Sequence, residues 1–290
     1  MLGEATLIFD RNHVEFADEK GSLIFSSDSK RLAYYFSPND DYRGTIKWSV
    51  VVDGKAGAEY DGVAGLIFSP DGKRVAYAAM EGKRQFVVLD GEAGGKYDGI
   101  DRPMFSPDGK RVAYAAMVGK RRFVVLDGEA GAEYDGVAGL VFSPDGKRVA
   151  YAAGRGARQL VVLDGQAGVE YDGILQGSPS FSPDGRHVAY AAEKGGKHFA
   201  VVDGKAGDEY DRVSGLSFSP DGKRVAYAAV RGRKQFVVVD GKAGAEYDGI
   251  LQGSPRFSPD GILEYLALKE GSFYRVEYLP LPAWRMRLGL

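Results

Sequence analysis

Residues 68–79 read FSPDGKRVAYAA, and this stretch decides the fold because versions of it recur along the chain. The string Phe-Ser-x-Asp begins seven times, at intervals of 37 to 43 residues. Its copies start at Phe25, Phe68, Phe105, Phe142, Phe181, Phe218 and Phe257. A period of about 40 residues is typical of a four-stranded propeller blade, although some helical repeats have similar lengths. The choice between them depends on the pattern inside one repeat.

Inside a repeat, the apolar residues alternate with a period of two, as in β-strands. Gly65 to Ser69 and Arg74 to Met80 predict the first two strands, with a Pro-Asp-Gly-Lys turn between them. Gln85 to Asp90 predicts the third strand, and a fourth is expected around Lys96 to Asp98. Gly or Pro recurs too often to leave a window for an ordinary helix. The prediction is an all-β, seven-bladed β-propeller of four-stranded antiparallel blades, forming a single domain over residues 1–290.

The FSPDGKRVAYAA element and the VVLD strand that follows it resemble the Pro-Asp-type, WD-like repeat of TolB-like β-propellers. The resemblance covers the chain from Phe25 to Gly261, although no Trp-Asp dipeptide ends the third strands. It implies a protein-binding or scaffolding platform that is not an enzyme. Related propellers also cap peptidase domains, so the resemblance is more specific for fold than for function.

The two ends of the sequence predict a composite closing blade. Phe16 to Asp18 stands where Tyr-Asp-Gly precedes later repeats, so it is expected to supply a fourth strand. Leu263 to Leu268 and Phe273 to Tyr278 are expected to be the second and third strands of the last repeat. Thr6 to Phe9 could compete with Phe273 to Tyr278 for the outer position, and the sequence leaves this choice open.

Longer duplications are also visible, since Phe142 to Phe218 and Phe181 to Phe257 are both 76 residues apart. The insertion ILQGSP occurs twice, from Ile174 and from Ile250. This pattern indicates growth by two-blade units. Recent natural amplification and an engineered array are both compatible with it, and the irregular ends favour a natural origin.

The composition excludes several classes of protein and partner. With 38 Lys plus Arg against 40 Asp plus Glu, the formal charge of −2 argues against specificity for nucleic acid. No apolar run approaches the length of a membrane helix, so membrane insertion is not expected. The propeller is expected to be a monomer. Cysteine is absent, and residues 1–20 do not read as a signal peptide. Cytoplasm is the default location, and the periplasm stays open through the family resemblance.

The recurring polar residues predict turns and not catalysis. The Asp71-Gly72 dipeptide is typical of hairpin turns. Gly109, which corresponds to Gly72 in the next repeat, is expected to have a positive φ. No nucleophile elbow or phosphate-binding glycine loop occurs, so no cofactor is predicted. The three histidines, His13, His187 and His198, fall in unrelated repeat positions and are expected in exposed loops, so no metal site is predicted.

Tyr-Asp is a second recurring motif, placed just before the inner strand of the next blade. One interpretation is that the tyrosine packs on the neighbouring blade and the aspartate caps a turn. The other is a ring of phenols and carboxylates facing a ligand. The motif occurs at Tyr60, Tyr97, Tyr134, Tyr171, Tyr210 and Tyr247.

The turns between the second and third strands are rich in basic residues. They give one face of each blade a positive balance, while the opposite face is acidic. The predicted binding residues are Lys83, Arg84, Lys120, Arg121, Arg122, Arg155, Arg158, Arg231, Arg233 and Lys234. A protein or another anionic partner is expected there, and reversing the charge of such turn residues is expected to leave the blade core intact.

Two other functions are also compatible with the sequence. An enzyme, or a protein that binds glycans or peptides, could use a central funnel with unusual acidic residues from the irregular repeats. Its candidates are Asp40, Asp41, Glu264 and Glu270. The other alternative is a purely structural repeat array without a ligand.

Overall fold

The computed structural model describes residues 23–37, 47–175, 177–251 and 253–278. Every regular element in these ranges is a β-strand, and the strands form seven antiparallel sheets, numbered here as blades 1 to 7 in chain order. The chain divides into two compact units, Met1–Gly136 and Val137–Leu290. The first contains blades 1 to 3 and the second blades 4 to 7.

The first unit contains thirteen strands in its described part. Blade 1 is β1 (Leu23–Phe25), β2 (Leu32–Phe36), β3 (Trp48–Val52) and β4 (Lys55–Tyr60). Blade 2 is β5 (Gly62–Phe68), β6 (Val75–Glu81), β7 (Arg84–Leu89) and β8 (Glu92–Ala93). Blade 3 is β9 (Gly99–Ile100), β10 (Met104–Phe105), β11 (Val112–Val118), β12 (Arg121–Leu126) and β13 (Glu129–Ala130).

The second unit continues the same pattern. Blade 4 is β14 (Gly136–Phe142), β15 (Val149–Arg155), β16 (Arg158–Leu163) and β17 (Gln166–Ala167). Blade 5 is β18 (Gly173–Ile174), β19 (Ser180–Phe181), β20 (Val188–Lys194), β21 (Lys197–Val202) and β22 (Lys205–Ala206). Blade 6 is β23 (Arg212–Phe218), β24 (Val225–Arg231), β25 (Lys234–Val239) and β26 (Lys242–Ala243). Blade 7 is β27 (Gly249–Ile250), β28 (Arg256–Phe257), β29 (Leu263–Lys269) and β30 (Ser272–Tyr278).

Seven consecutive antiparallel sheets, six of them four-stranded meanders, are the architecture of a seven-bladed β-propeller, so the predicted fold class is confirmed. Blade 7 has three strand positions in its described part, because β27 and β28 both pair with β29. The strand predicted to complete it, Phe16 to Asp18, lies outside the described residues, and so does Thr6 to Phe9, the segment that could compete with Phe273 to Tyr278. Closure by a composite blade and the single domain over 1–290 both stay predictions.

In blades 2 to 6, each Pro-Asp-Gly turn is held by a buried serine. In blade 2, the Ser69 hydroxyl donates a 2.6 Å hydrogen bond to Asp71 Oδ1 and accepts a 2.9 Å bond from the backbone N–H of Arg74. Gly72 has φ of +71° and donates its N–H to the Ser69 carbonyl at 2.8 Å. Glycine adopts this conformation without the Cβ penalty of other residues. The Phe-Ser-x-Asp-Gly string is thus a complete local turn, which explains its repetition.

Neighbouring blades within a unit pack through apolar faces. In the first unit, Val50 and Tyr60 of blade 1 form a buried cluster with Tyr77, Phe86 and Val88 of blade 2. The other face of blade 2 contributes to the cluster it shares with blade 3. That cluster joins Ala76 and Val87 to Val112, Tyr114, Ala116, Phe123 and Val125. An aromatic residue of one blade, Tyr114, therefore shares a buried cluster with the small side chain of Ala76 in the neighbouring blade.

The outer strand differs from its prediction. In blade 2 it begins at Glu92, directly after the Asp90-Gly91 turn, and β8 pairs with β7 for only two residues. Pairing then resumes at a single bridge between Gln85 and Tyr97. Gly94 N–H donates to the Val87 carbonyl at 2.9 Å between these two points. The strand is therefore interrupted, and the prediction found only its second half.

The inner strands alternate between two forms. Blades 2, 4 and 6 have one continuous strand of seven residues, whereas the inner strands of blades 3, 5 and 7 are split into two short pieces. In the second unit, a Cβ on Gly139 of blade 4 would lie 2.7 Å from the Ser178 carbonyl oxygen of blade 5. Gly215 of blade 6 stands in the same relation to Ser254 of blade 7, at 3.0 Å. In blades 4 and 6, the continuous strand therefore requires glycine where the backbone of the next, split strand approaches it.

Candidate functional site

In five of the six Tyr-Asp motifs, the aspartate joins two neighbouring blades of the same unit. Asp61, which follows blade 1, accepts a 2.6 Å bond from Lys47 Nζ of its own blade and a 2.6 Å bond from the N–H of Gly82 in blade 2. The Lys47 contact and the Gly82 N–H hold the pKa of Asp61 below its usual value. Asp98, Asp172, Asp211 and Asp248 each make the corresponding pair of contacts. We call the blade end that carries these contacts the Tyr-Asp end.

The tyrosine of the motif is part of the core. The Tyr60 ring packs edge-on against Phe86 and Tyr77 of the next blade, with centroid distances of 5.5 and 6.3 Å. Tyr210 packs in the same way against Phe236 and Tyr227. Of the two interpretations of the motif, the one with a packing tyrosine and a capping aspartate is therefore confirmed.

All ten predicted basic residues lie at the Tyr-Asp end, in or next to the turns between second and third strands. Half of them are engaged with carboxylates of the same unit: Arg84, Arg121, Arg155, Arg158 and Lys234. The Arg231 guanidinium instead lies 5.1 Å from the centre of the Tyr210 ring. Because Tyr210 is buried, Arg231 contacts the blade core, whereas the partners of Arg121 are exposed carboxylates. The expectation that reversed turn charges leave the blade core intact stays a prediction.

Four of the ten have no side-chain partner within the described part of the chain: Lys83, Lys120, Arg122 and Arg233. Lys83 and Lys120 are exposed at the tips of neighbouring turns in blades 2 and 3. Each follows a glycine whose N–H is held by a Tyr-Asp carboxylate, Gly82 by Asp61 and Gly119 by Asp98. Lys194 in blade 5 is also exposed without a partner among these residues, and the prediction omitted it although it lies beside Gly195.

The opposite end of each blade carries the Pro-Asp-Gly turns, and we call it the Pro-Asp-Gly end. Asp90, after the third strand of blade 2, has φ of +53° and accepts the Val75 N–H at 2.8 Å. Its second oxygen accepts Arg74 Nε at 2.8 Å, and Arg74 Nη1 reaches the Lys110 carbonyl of blade 3 at 2.8 Å. Arg74 at this end thus pairs with an aspartate of its own blade and also joins the neighbouring blade.

The residues considered for catalysis do not converge in the described part of the molecule. Glu264 lies in β29 and is paired with Arg275 at 3.0 Å, whereas Glu270 follows the far end of the strand. Six residues of strand separate two such positions by about 20 Å. Asp40 and Asp41 lie outside the described residues. Among the described residues, no group of three or more His, Cys, Asp or Glu side chains is arranged to hold a metal ion.

The histidines differ partly from their prediction. His198 lies in strand β21 and not in a loop, and its Nδ1 is buried without a partner among the described atoms. His187 directly precedes β20, and its Nδ1 lies 2.7 Å from Asp203 Oδ2. His13 lies outside the described residues.

Known structures similar to this chain are β-propellers. TolB from Acinetobacter baumannii matches over 74% of this chain at 20% identity and a TM-score of 0.35. The chain covers 62% of that TolB structure. The β-propeller domain of the Trilobed protease from Pyrococcus furiosus matches at 12% identity over 85% of this chain and 89% of its own, with a TM-score of 0.41. The Dos1 propeller matches at 12% identity over 87% and 76% of the two chains, with a TM-score of 0.42.

No protein-family model matches the sequence, and no curated protein matches it. The chain is similar to TolB and other propellers, but similarity at this level does not transfer a function. Within the described residues, no helix is long and apolar enough to cross a membrane.

Proposed function

We propose that the protein is a non-enzymatic binding platform, and that Lys83 and Lys120 at the Tyr-Asp end contact an acidic segment of a partner protein. What supports the proposal is the contrast among neighbouring basic residues. Arg84 and Arg121 are engaged with Asp98 and Asp135, whereas the two lysines are exposed and unpaired within the described residues. Cations that the fold does not use remain available for a partner.

The backbone that presents these lysines is ordered before a partner arrives. The carboxylates of Asp61 and Asp98 hold the preceding glycines at 2.6 Å each. A turn fixed in this way loses less conformational entropy on binding than a free loop does. The lysine side chains can still adapt, so the surface suits a flexible acidic segment better than one rigid small molecule.

A matched pair of double variants tests the proposal. Lys83→Glu with Lys120→Glu changes the Tyr-Asp end of blades 2 and 3, whereas Lys73→Glu with Lys110→Glu changes the net charge equally at the Pro-Asp-Gly end of the same blades. A fluorescein-labelled glutamate-rich peptide serves as probe in fluorescence anisotropy. We expect the parent to bind with an affinity that falls as salt rises, because salt screens exposed charges.

The first double variant is expected to lose affinity by about tenfold or more, equivalent to about 1.4 kcal/mol. The second should stay within a factor of about two, since its lysines lie at the other end of the blades. Equal losses in both variants would indicate attraction by net charge alone. Absence of binding by the parent, or binding that does not respond to salt, would contradict the proposal.

A further inference from the structure

One arginine at the Pro-Asp-Gly end makes the same three contacts in several blades. In blade 4, Arg148 Nε donates to Asp164 Oδ2 at 2.9 Å, and its Nη1 donates to the Arg186 carbonyl of blade 5 at 2.9 Å. Its guanidinium lies 5.6 Å from the centre of the Phe181 ring. Arg31, Arg74 and Arg224 also lie over the corresponding phenylalanine of the next blade, at 5.3 to 5.9 Å. The fold therefore contains a repeated guanidinium site between neighbouring blades.

Blade 5 has histidine at this position. His187 keeps the contact with its own aspartate, since Nδ1 lies 2.7 Å from Asp203 Oδ2. The imidazole is shorter than an arginine side chain and makes no contact with blade 6 that corresponds to the other two. In the described part of the chain, no cation lies over Phe218 and no donor reaches the Lys223 carbonyl. Blade 6 therefore offers the aromatic ring and the carbonyl of a guanidinium site without the guanidinium.

A groove lies at this place, as one does between blades 1 and 2. It has a volume of about 390 Å³, and its walls include His187, Asp203, Phe218, Gly222 and Lys223. The corresponding groove between blades 1 and 2 has a volume of about 490 Å³. Its walls include Arg31 but not the phenylalanine that Arg31 covers. The aromatic ring thus becomes part of the wall where histidine replaces arginine.

The charges around the two grooves differ in the same direction. Asp203 and Asp240 line the groove of blades 5 and 6 together with Lys205 and Lys223. The groove of blades 1 and 2 has two aspartates, two lysines and, in addition, Arg31. With a neutral imidazole, the groove beside His187 therefore has one positive charge fewer than its counterpart. A cation that enters this groove would take the place of the arginine charge that other blades carry at the position of His187.

We propose that this groove binds a guanidinium group, supplied by an arginine side chain of a ligand or partner. The planar cation would stack on Phe218 and donate an N–H to the Lys223 carbonyl, as Arg148 does with Phe181 and Arg186. A neutral His187 that donates its Nδ1–H to Asp203 keeps Nε2 as a further acceptor. The site lies at the Pro-Asp-Gly end, opposite to the end that carries Lys83 and Lys120, and does not depend on their role.

Titration of the ¹⁵N-labelled protein with methylguanidinium tests the proposal. The measurement uses millimolar methylguanidinium at constant ionic strength and pH 8, followed by amide chemical shifts. We expect saturable shifts at Gly222 and Lys223 in the parent. His187→Arg should abolish them, because the new side chain fills the site from within, and it should raise the melting temperature. Methylammonium, with the same charge but no planar fork, serves as the matched control and should give much weaker shifts.

Phe218→Leu provides a second, independent variant, since it keeps an apolar side chain but removes the ring. Its affinity for methylguanidinium should fall by about three- to tenfold, in line with a cation–π contact. Three results would overturn the proposal: no saturable shifts in the parent, equal shifts in the His187→Arg protein, or equal responses to methylammonium. Unchanged affinity in Phe218→Leu would show that the Phe218 ring does not contribute to binding, which would contradict the proposed stacking.

Discussion

The carboxylate of Asp98 accepts a 2.6 Å hydrogen bond from the backbone N–H of Gly119, and the two residues belong to successive blades. The same carboxylate binds Arg84 at 2.7 Å, so one side chain ties the third strand of blade 2 to a turn of blade 3. The preceding residue, Tyr97, packs edge-on against Phe123 of blade 3, with the ring centres 5.4 Å apart. This contact is the recurrent unit of the Tyr-Asp end.

Asp98→Asn tests the contribution of this contact to stability. The amide loses the charge that both donors use, and we expect the free energy of unfolding to fall by about 1 kcal/mol, because the carboxylate is partly exposed. Asp101→Asn is the control, since Asp101 is exposed and has no side-chain partner in the described part of the chain. Urea denaturation of both variants measures the difference. Equal stabilities for the two proteins would show that the contact contributes nothing.

Gly109→Val tests the close approach of successive Pro-Asp-Gly turns. Gly109 has φ of +73°, as predicted, and a Cβ there would lie 2.9 Å from Asp71 Oδ1 and 3.3 Å from Ser69 Cβ. Gly82→Val is the control, because Gly82 has φ of +60° but no atom within 4 Å of the same position. Backbone strain should cost about 1 to 2 kcal/mol in both variants. Crowding should cost Gly109→Val about 1 kcal/mol more, and equal losses in urea denaturation would exclude that effect.

Stability should decrease in acid through several aspartates at once. Ser69 and the Lys73 N–H hold the pKa of Asp71 below its usual value, and Lys47 and the Gly82 N–H do the same for Asp61. A carboxyl with a lowered pKa in the folded state stabilises that state above the unfolded pKa of about 4. This stabilisation is lost as the pH falls through the folded values. Melting temperatures measured from pH 6 to pH 3 should therefore drop below about pH 4, and an unchanged value at pH 3 would contradict this.

The buried tyrosines predict a second limit in alkali. Burial raises the pKa of Tyr77, Tyr114, Tyr190 and Tyr227 above the usual value for a phenol, and nearby tyrosines add to the effect. Unfolded chains ionise their tyrosines near pH 10, so the stabilisation by these neutral phenols is present below that pH and decreases above it. Phenolate absorbance should rise in two phases, the second coinciding with loss of near-ultraviolet circular dichroism. A single phase complete in the folded protein would contradict this assignment.

The sequence predicted the local features of the blades better than the contacts between them. The turn at Gly72 could be recognised because Ser69, Asp71 and Gly72 lie within four residues of one another. The first half of the outer strand was missed because Glu92 and Ala93 are both exposed and directly follow the Asp90-Gly91 turn, so their two-residue pairing with β7 leaves no side-chain pattern in the sequence.

Pairing between residues distant in the sequence also determines which basic residues bind a carboxylate, and this could not be predicted from the turns alone. Arg84 and Lys83 are adjacent and look equivalent in the sequence, yet Arg84 reaches Asp98 fourteen residues later while Lys83 points to no carboxylate in the described residues. The signal was present as a regular offset between the first basic residue of each third strand and the next Tyr-Asp motif. His187 was predicted only as an exposed loop residue, because the consequence of a histidine at the arginine position depends on where Phe218 lies.

The alternation of continuous and split inner strands sets the increment by which this chain can change length. Gly139 fits against the Ser178 carbonyl, and Gly215 against that of Ser254, because each continuous strand is followed by a split one. Excising or copying one repeat would set two strands of the same kind side by side, without the glycine opposite the protruding carbonyl. Excising or copying 76 residues, the distance from Phe142 to Phe218, keeps every such partnership. The exchangeable module for recombination is therefore a pair of blades. The glycine-to-carbonyl contact decides which two consecutive blades form that pair.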